Sequence, residues 1–327
     1  MIGRAKALRD QYGREINYMR ISVTDRCNLR CCYCMPEDIL RLPREDLLTF
    51  EELTRVAELA AKHGIRAVKL TGGEPLVRHQ IWELVAALKK VDGIEQVTMT
   101  TNGVLFSQYA DALQKAGLDA VNISLDTLHA DRFYRMTGAD AWEAAWNGLV
   151  TALEKGFPVK LNCVLQQDVN VNEWRELAAL ARDLPVVVRF IEMMPIGAGA
   201  DCTLVSGTWL REQMTGAFGE LAPVQVAGNG PATYVKPAGF QGSIGFISAL
   251  HSPFCDQCNR LRLTSIGELK PCLCYSDRIP LRETLRAGNL VETERRIVQA
   301  IRQKPKGHCF LNRTAVTEQR QMAQIGG

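Results

Sequence analysis

No run in this 327-residue sequence approaches the roughly 18 apolar residues of a membrane span. The N-terminal stretch MIGRAKALRDQYGREINYMRISV carries charges throughout and has no apolar core of signal-peptide length. The sequence therefore predicts a cytoplasmic protein with no membrane association. An excess of one charge is also missing. Lys and Arg number 39 against 36 Asp and Glu, a formal net charge of +3, too even for a general nucleic-acid binder. Any anion must then be met by particular residues. Histidine is scarce, and His63, His79, His129, His251 and His308 fall at no metal-ligand spacing, which assigns them to structure or solvent. There is no low-complexity segment and no internal repeat beyond the alternation described below. A composition of 46% hydrophobic and 23% charged residues excludes disorder, and the length suits one large or two modest globular domains.

What is present is cysteine, eleven in all. In a reducing compartment an odd number at two- and three-residue spacings predicts metal ligands before disulfides. Six fall into two triads, Cys27, Cys31, Cys34 and Cys255, Cys258, Cys272. A closed structural zinc or iron-sulfur site uses four protein ligands. Three thiolates leave an iron with an open position where a substrate or cofactor binds. In CNLRCCYC, Cys32 is available as a fourth ligand, and zinc is the competing metal. In FCDQCNRLRLTSIGELKPC, Cys274 is available in the same way, and a small zinc ribbon competes. Arg260 and Arg262 alternate beside Cys258 and so share a face, an arrangement suited to an anionic substrate. Cys163, Cys202 and Cys309 stand apart and are expected to be inert.

From residue 18 to about 194, short β-branched runs alternate with helical patterns. Strands are predicted over Met19 to Val23, Ala67 to Thr71, Gln96 to Thr100, Ala120 to Ser124, Val159 to Leu165 and Val187 to Glu192. A helix from Thr49 to His63 opens with Thr49 and Glu52 in capping-box register and stops at Gly64; another runs from Ala141 to Lys155. Such βα units form a parallel sheet with right-handed crossovers. With a side-chain period of two, Arg20 shares a face with Ser22, Lys69 with Thr71, Thr98 with Thr100, Asn122 with Ser124 and Lys160 with Asn162. Strands covered by helices on both faces are apolar on both. One polar face per strand instead predicts a wet lumen. The expected fold is an α/β, incomplete (βα)6 TIM-like barrel (residues 1–196), with a smaller C-terminal cluster-binding domain (197–327) closing the open side.

The CxxxCxxC loop after the first strand, with TGGEP (Thr71 to Pro75) ending the second, resembles the radical S-adenosylmethionine superfamily. Together with NISLD, CNRLRLT, the second triad and the terminal IGG, nearly the whole chain resembles the GTP 3',8-cyclases of molybdenum cofactor biosynthesis. The resemblance implies two 4Fe-4S clusters, held by Cys27, Cys31, Cys34 and by Cys255, Cys258, Cys272. It implies S-adenosylmethionine at Tyr33, Gly73, Ser124 and Met194, and GTP at Arg20, Lys69, Thr100, Lys160, Arg189, Arg260, Leu261 and Arg262. Arg20, Arg260, Arg262, Gly326 and Gly327 are the implied catalytic set, the two glycines as a tail entering the site. At Lys69 the family usually has arginine, so the charge is kept and the bidentate fork lost. Implied partners are GTP, an electron donor and the next enzyme, cyclic pyranopterin monophosphate synthase, for a monomer or homodimer. Two alternatives remain at this stage: another radical S-adenosylmethionine enzyme with an auxiliary cluster, such as a peptide maturase, and a non-catalytic zinc protein.

Overall fold

The structure, a computed structural model, describes residues 8–36, 39 and 41–326. The first half alternates β1 (Tyr18–Ser22), α1 (Phe50–Ala61), β2 (Ala67–Thr71), α2 (Ile81–Lys89), β3 (Gln96–Thr101), α3 (Phe106–Lys115), β4 (Ala120–Ser124), α4 (Ala130–Thr137), α5 (Trp142–Glu154), β5 (Val159–Val164), α6 (Trp174–Asp183) and β6 (Val187–Ile191). Each strand end lies within one residue of its predicted position. The start of α1 follows from its capping box: Glu52 N–H donates to Thr49 Oγ1 at 3.2 Å, and Thr49 N–H donates to Glu52 Oε2 at 2.8 Å. Its buried residues Leu53, Val56, Ala57 and Ala60 recur at helical spacing and face the sheet. Gly64, at φ 90°, ends the turn that follows.

The strands β1 to β6 pair in sequence order, and every pair is parallel. Met19 and Ile21, Val68 and Leu70, Val97 and Met99, and Val188 and Phe190 enter one apolar core shared with the helices. The alternate residues, among them Arg20, Lys69, Thr98 and Arg189, line a cavity on the opposite face.

The C-terminal region follows as α7 (Gly207–Phe218), β7 (Leu221–Val224), β8 (Thr233–Pro237), β9 (Ser243–Ile247), β10 (Arg260–Leu263), β11 (Glu268–Lys270), β12 (Ile279–Pro280), α8 (Arg282–Arg286) and α9 (Leu290–Arg302). It extends the barrel's own sheet at both edges. β10 pairs parallel with β1, and β9 pairs parallel with β6. The antiparallel strands β7 and β8 continue from one edge, and β11 and β12 from the other, giving twelve strands in a single open sheet. Eight consecutive strands are thus parallel, two more than the sequence indicates. The two added ones are short and lie among glycine- and proline-rich loops that mask their pattern. Among the described residues, no helix is long and apolar enough to cross a membrane.

Two glycines set the seat of α5. A Cβ built on Gly148 would stand 2.2 Å from the Gly103 carbonyl oxygen, backbone against backbone. Gly148→Ala is expected to destabilise the fold by about 1–3 kcal/mol through overpacking. Gly216→Ala in α7, where the added methyl meets nothing within 4 Å, should stabilise it by about 0.5–1 kcal/mol. Denaturant unfolding of both variants checks the pair.

Candidate active site

The lumen encloses a cavity of about 460 Å³, in the size range of small-molecule and cofactor sites. Its two ends follow from strand direction. The loop bearing Cys27, Cys31 and Cys34 leaves the C-terminal end of β1. Cys255 and Cys258 precede β10, which is parallel to β1, and Cys272 follows β11, which runs back against β10. The triads therefore lie at opposite ends of the same strands. Cys34 lines one end of the cavity, and Cys255, Cys258 and Cys272 line the other.

The first loop is held by backbone contacts. Gly73 N–H donates to Thr24 O and Glu74 N–H to Arg26 O, both at 2.8 Å. A Cβ on Gly72 would lie 2.5 Å from Thr24 O, and one on Gly73 would lie 2.3 Å from Arg26 O. These glycines thus admit the cysteine loop's own backbone; Gly73 also lines the cavity. Glu74, a bare charge at a strand end in the sequence, is fully enclosed. Its carboxylate accepts from Leu76 N–H at 3.0 Å, Thr101 Oγ1 at 2.7 Å and Asn102 N–H at 2.7 Å. Burial pushes it up to about 7 despite those bonds. Asn102 Nδ2 in turn donates to Asn28 Oδ1 at 2.8 Å, so three loops are tied around the triad.

Burial pushes the Cys27 thiol up to about 11 and Cys34 to about 12, and drives Cys31 well above its usual range, with the neighbouring thiols of the triad adding to the rise. Such thiols are neutral until a metal displaces their protons. Cys32 is exposed, whereas Cys27, Cys31 and Cys34 are partly buried. Tyr33 donates from its hydroxyl to Asp126 Oδ2 at 2.7 Å, and Tyr33, Ser124 and Met194 line the cavity near Cys34.

The second triad has a different electrostatic setting. Burial raises Cys258, but the cations of Lys304 and Arg260, with hydrogen bonds from the Arg260 backbone and from Lys304, outweigh it and bring the thiol down to about 7. Cys274 turns elsewhere: its Sγ lies 3.2 Å from that of Cys309. Cys309, expected to stand apart, therefore has a thiol partner 35 positions away in sequence, a proximity no local spacing reveals. Among the described residues, no three His, Cys, Asp or Glu side chains are placed to hold one metal ion together. Cys255, Cys258 and Cys272 nonetheless line one end of the cavity together, and three cysteines are the soft sulfur donors that an iron-sulfur group takes.

Between the ends stands a wall of positive charge. The register sets Arg262, Arg20 and Lys69 side by side on β10, β1 and β2. Lys160, Arg189 and Arg260 line the same cavity, as does Thr100. Burial, then the cations of Arg189, Arg20 and Lys160, hold Lys69 well below its ordinary range. Burial and Arg189 bring Lys160 down to about 8, and burial with Arg20 and Arg260 brings Arg262 to about 9. Asn122, its amide oriented by its neighbours, accepts from Lys69 Nζ at 2.7 Å and Arg189 Nη2 at 2.9 Å. The enclosed Arg189 Nε and Arg260 Nε have no partner. This excess of donors and charge is complementary to a polyanion.

The tail reaches this wall. Arg262 Nη1 donates to Gly326 O at 2.8 Å. Gly326 has φ 81°, and a Cβ there would stand 3.3 Å from Ser22 Cβ. Met322 of the tail lines the cavity together with Cys34. Gly327 lies outside the described residues. The Leu261 side chain is fully buried in the apolar core, because in an extended strand it faces away from Arg260 and Arg262. His308 departs from the expectation of a structural or solvent-facing histidine. It lines the cavity with its Nε2 unpartnered, while its N–H donates to Cys255 Sγ at 3.4 Å. Lys304 was also missed. No motif marks either residue; chain folding alone brings them to the second triad.

Comparison with known proteins agrees with this geometry. Residues 21–181 match the Radical SAM superfamily model, and residues 186–310 match that of Molybdenum Cofactor Synthesis C. The chain is 44% identical over 327 residues to the GTP 3',8-cyclase of Pelotomaculum thermopropionicum, covering 98% of this chain and 100% of the relative. It is 46% identical to that of Heliobacterium modesticaldum, covering 97% and 99%. Among solved structures, Streptococcus suis SuiB bound to S-adenosylmethionine shares the fold with TM-score 0.62 at 15% identity, over 95% of this chain and 77% of that one. The chain therefore belongs to the GTP 3',8-cyclase family of the radical S-adenosylmethionine superfamily.

Proposed function

We propose that the protein converts GTP to (8S)-3',8-cyclo-7,8-dihydroguanosine 5'-triphosphate, the first step of molybdenum cofactor biosynthesis. The observation that carries this is the cation-lined cavity between two cysteine triads at opposite ends of the same strands. Cys27, Cys31 and Cys34 would hold one 4Fe-4S cluster, and Cys255, Cys258 and Cys272 a second. When bound, the first cluster and S-adenosylmethionine supply the 5'-deoxyadenosyl radical that takes hydrogen from the ribose C3'. Tyr33, Gly73, Ser124 and Met194 place that cofactor. Arg20, Lys69, Lys160, Arg189, Arg260 and Arg262 meet the GTP phosphates and polar edges with Thr100, and exclude bulk water by filling the barrel wall. Arg262 also holds the tail through Gly326. In this division of labour, residues 1–196 carry the radical chemistry and residues 197–327 the second cluster and the tail. An electron donor supplies the reductant, and cyclic pyranopterin monophosphate synthase takes the product.

Anaerobic reconstitution with S-adenosylmethionine, a strong reductant and GTP tests the proposal by chromatography of the nucleotide products. The cyclised triphosphate is expected; cleavage of S-adenosylmethionine that leaves GTP intact would contradict it. Deleting Gly326 and Gly327 should abolish cyclisation with the iron content unchanged, and an undiminished product yield would rule out a role for the tail. Lys160 is charged below a pH of about 8 and neutral above it, so GTP affinity should weaken as pH rises through that value. Lys160→Gln should weaken binding about tenfold or more at pH 7 and flatten this dependence. Lys69→Arg, which restores the bidentate fork, should tighten GTP binding; calorimetric titration reads all three effects.

A further inference from the structure

We infer that Lys304 is the counter-charge of the second cysteine triad, a positioning residue that clamps Cys258 and Cys272 together and raises the reduction potential of the cluster they hold. The inference rests on the proposal that this triad carries an iron-sulfur cluster. Lys304 lies just past the end of α9 and is 2% exposed. Its Nζ donates to Arg260 O at 2.9 Å, two residues after Cys258, and to Pro271 O at 2.7 Å, immediately before Cys272. Lys304, Cys258 and Cys272 line the same end of the cavity. One ammonium therefore bridges the two chain segments that deliver ligands from either side of the β10–β11 hairpin.

Its lack of a carboxylate sets this cation apart from two other buried cations, Lys270 and Arg14. Lys270 is equally buried but paired with Glu318, and Arg14 is paired with Asp10 at 2.6 Å. Among the described residues, no acidic side chain pairs with Lys304. An isolated buried charge is strongly disfavoured, so the fold retains this one only where something anionic faces it. Both of its acceptors, Arg260 O and Pro271 O, lie beside ligands of the triad. The position is also enforced from behind. Arg14, already neutralised by Asp10, donates to Cys255 O at 2.7 Å, Pro305 O at 2.6 Å and Lys306 O at 2.9 Å. It locks the chain next to Lys304 onto the third ligand's backbone. Because Lys304 also lines the cavity, its charge stands between the triad and whatever the cavity holds. A fixed positive charge beside a cluster favours the more negative, reduced form, and so raises the potential.

The test uses the full chain with Cys27, Cys31 and Cys34 changed to Ser, so that any remaining iron belongs to the second triad. Iron analysis comes first, and absence of iron in this background would overturn the cluster proposal itself. With iron present, redox titration followed by electron paramagnetic resonance is expected to give a lower potential for Lys304→Gln and a near-unchanged one for Lys304→Arg. An unchanged potential and iron content in Lys304→Gln would overturn the inference. A thermal-unfolding cycle covers the case in which that variant loses its cluster. In the otherwise native chain Lys304→Gln should lower the melting temperature. With Cys255, Cys258 and Cys272 changed to Ser, the same substitution should raise it, since the ammonium has then lost its counter-charge. An equal loss in both backgrounds would make Lys304 merely structural and overturn the inference.

Discussion

Like charges crowded along one cavity wall constrain everything else in this molecule. Arg262, Arg20 and Lys69 stand in adjacent register on three neighbouring strands, with Lys160, Arg189 and Arg260 on the same wall. Burial and mutual repulsion hold Lys69, Lys160 and Arg262 below their ordinary ranges. A fold keeps such a cluster only when the rest of the sheet over-determines it and a ligand relieves it. The over-determination is visible in the apolar faces of the same strands, where Met19, Ile21, Val68, Leu70, Val97 and Met99 are buried without exposure. The relief is a polyanion, and the family's nucleoside triphosphate meets that requirement.

The two triads share a ligand set but differ in environment. Around Cys27, Cys31 and Cys34 the protein offers burial and mutual repulsion, so ionisation waits for the metal. Around Cys258 it offers Lys304 and Arg260, and the thiol is brought to about 7 before any metal arrives. Under the proposed function, the first site receives a cofactor that brings its own positive charge and the second a substrate that brings negative charge. The tail spans both, with Met322 lining the cavity beside Cys34 and Gly326 on Arg262.

The barrel was legible because its signals are local. Strand period, the Thr49–Glu52 capping box and stop glycines such as Gly64 all act within a few residues, and the period-two argument placed Arg20, Lys69, Thr100 and Lys160 on the lumen face. The resemblance supplied Arg189, Gly326 and the implied S-adenosylmethionine positions other than Ser124, which spacing alone does not indicate. Leu261 was carried across within a contiguous stretch, and the strand's alternation sends its side chain to the core. Lys304, His308 and the Cys274–Cys309 contact were not legible at all, because each depends on bringing distant segments together. β9 and β10 were missed as members of the parallel sheet for a related reason: their partners are strands far away in sequence.

The central claim is that the cavity holds the ribose of GTP where hydrogen is taken from C3'. The most direct measurement is an anaerobic reaction of the reconstituted protein with S-adenosylmethionine, reductant and GTP deuterated at C3', with mass spectrometry of the 5'-deoxyadenosine formed. Deuterium in 5'-deoxyadenosine is the expected result. Formation of 5'-deoxyadenosine free of deuterium would contradict the claim, retaining the superfamily chemistry and removing GTP C3' as its target.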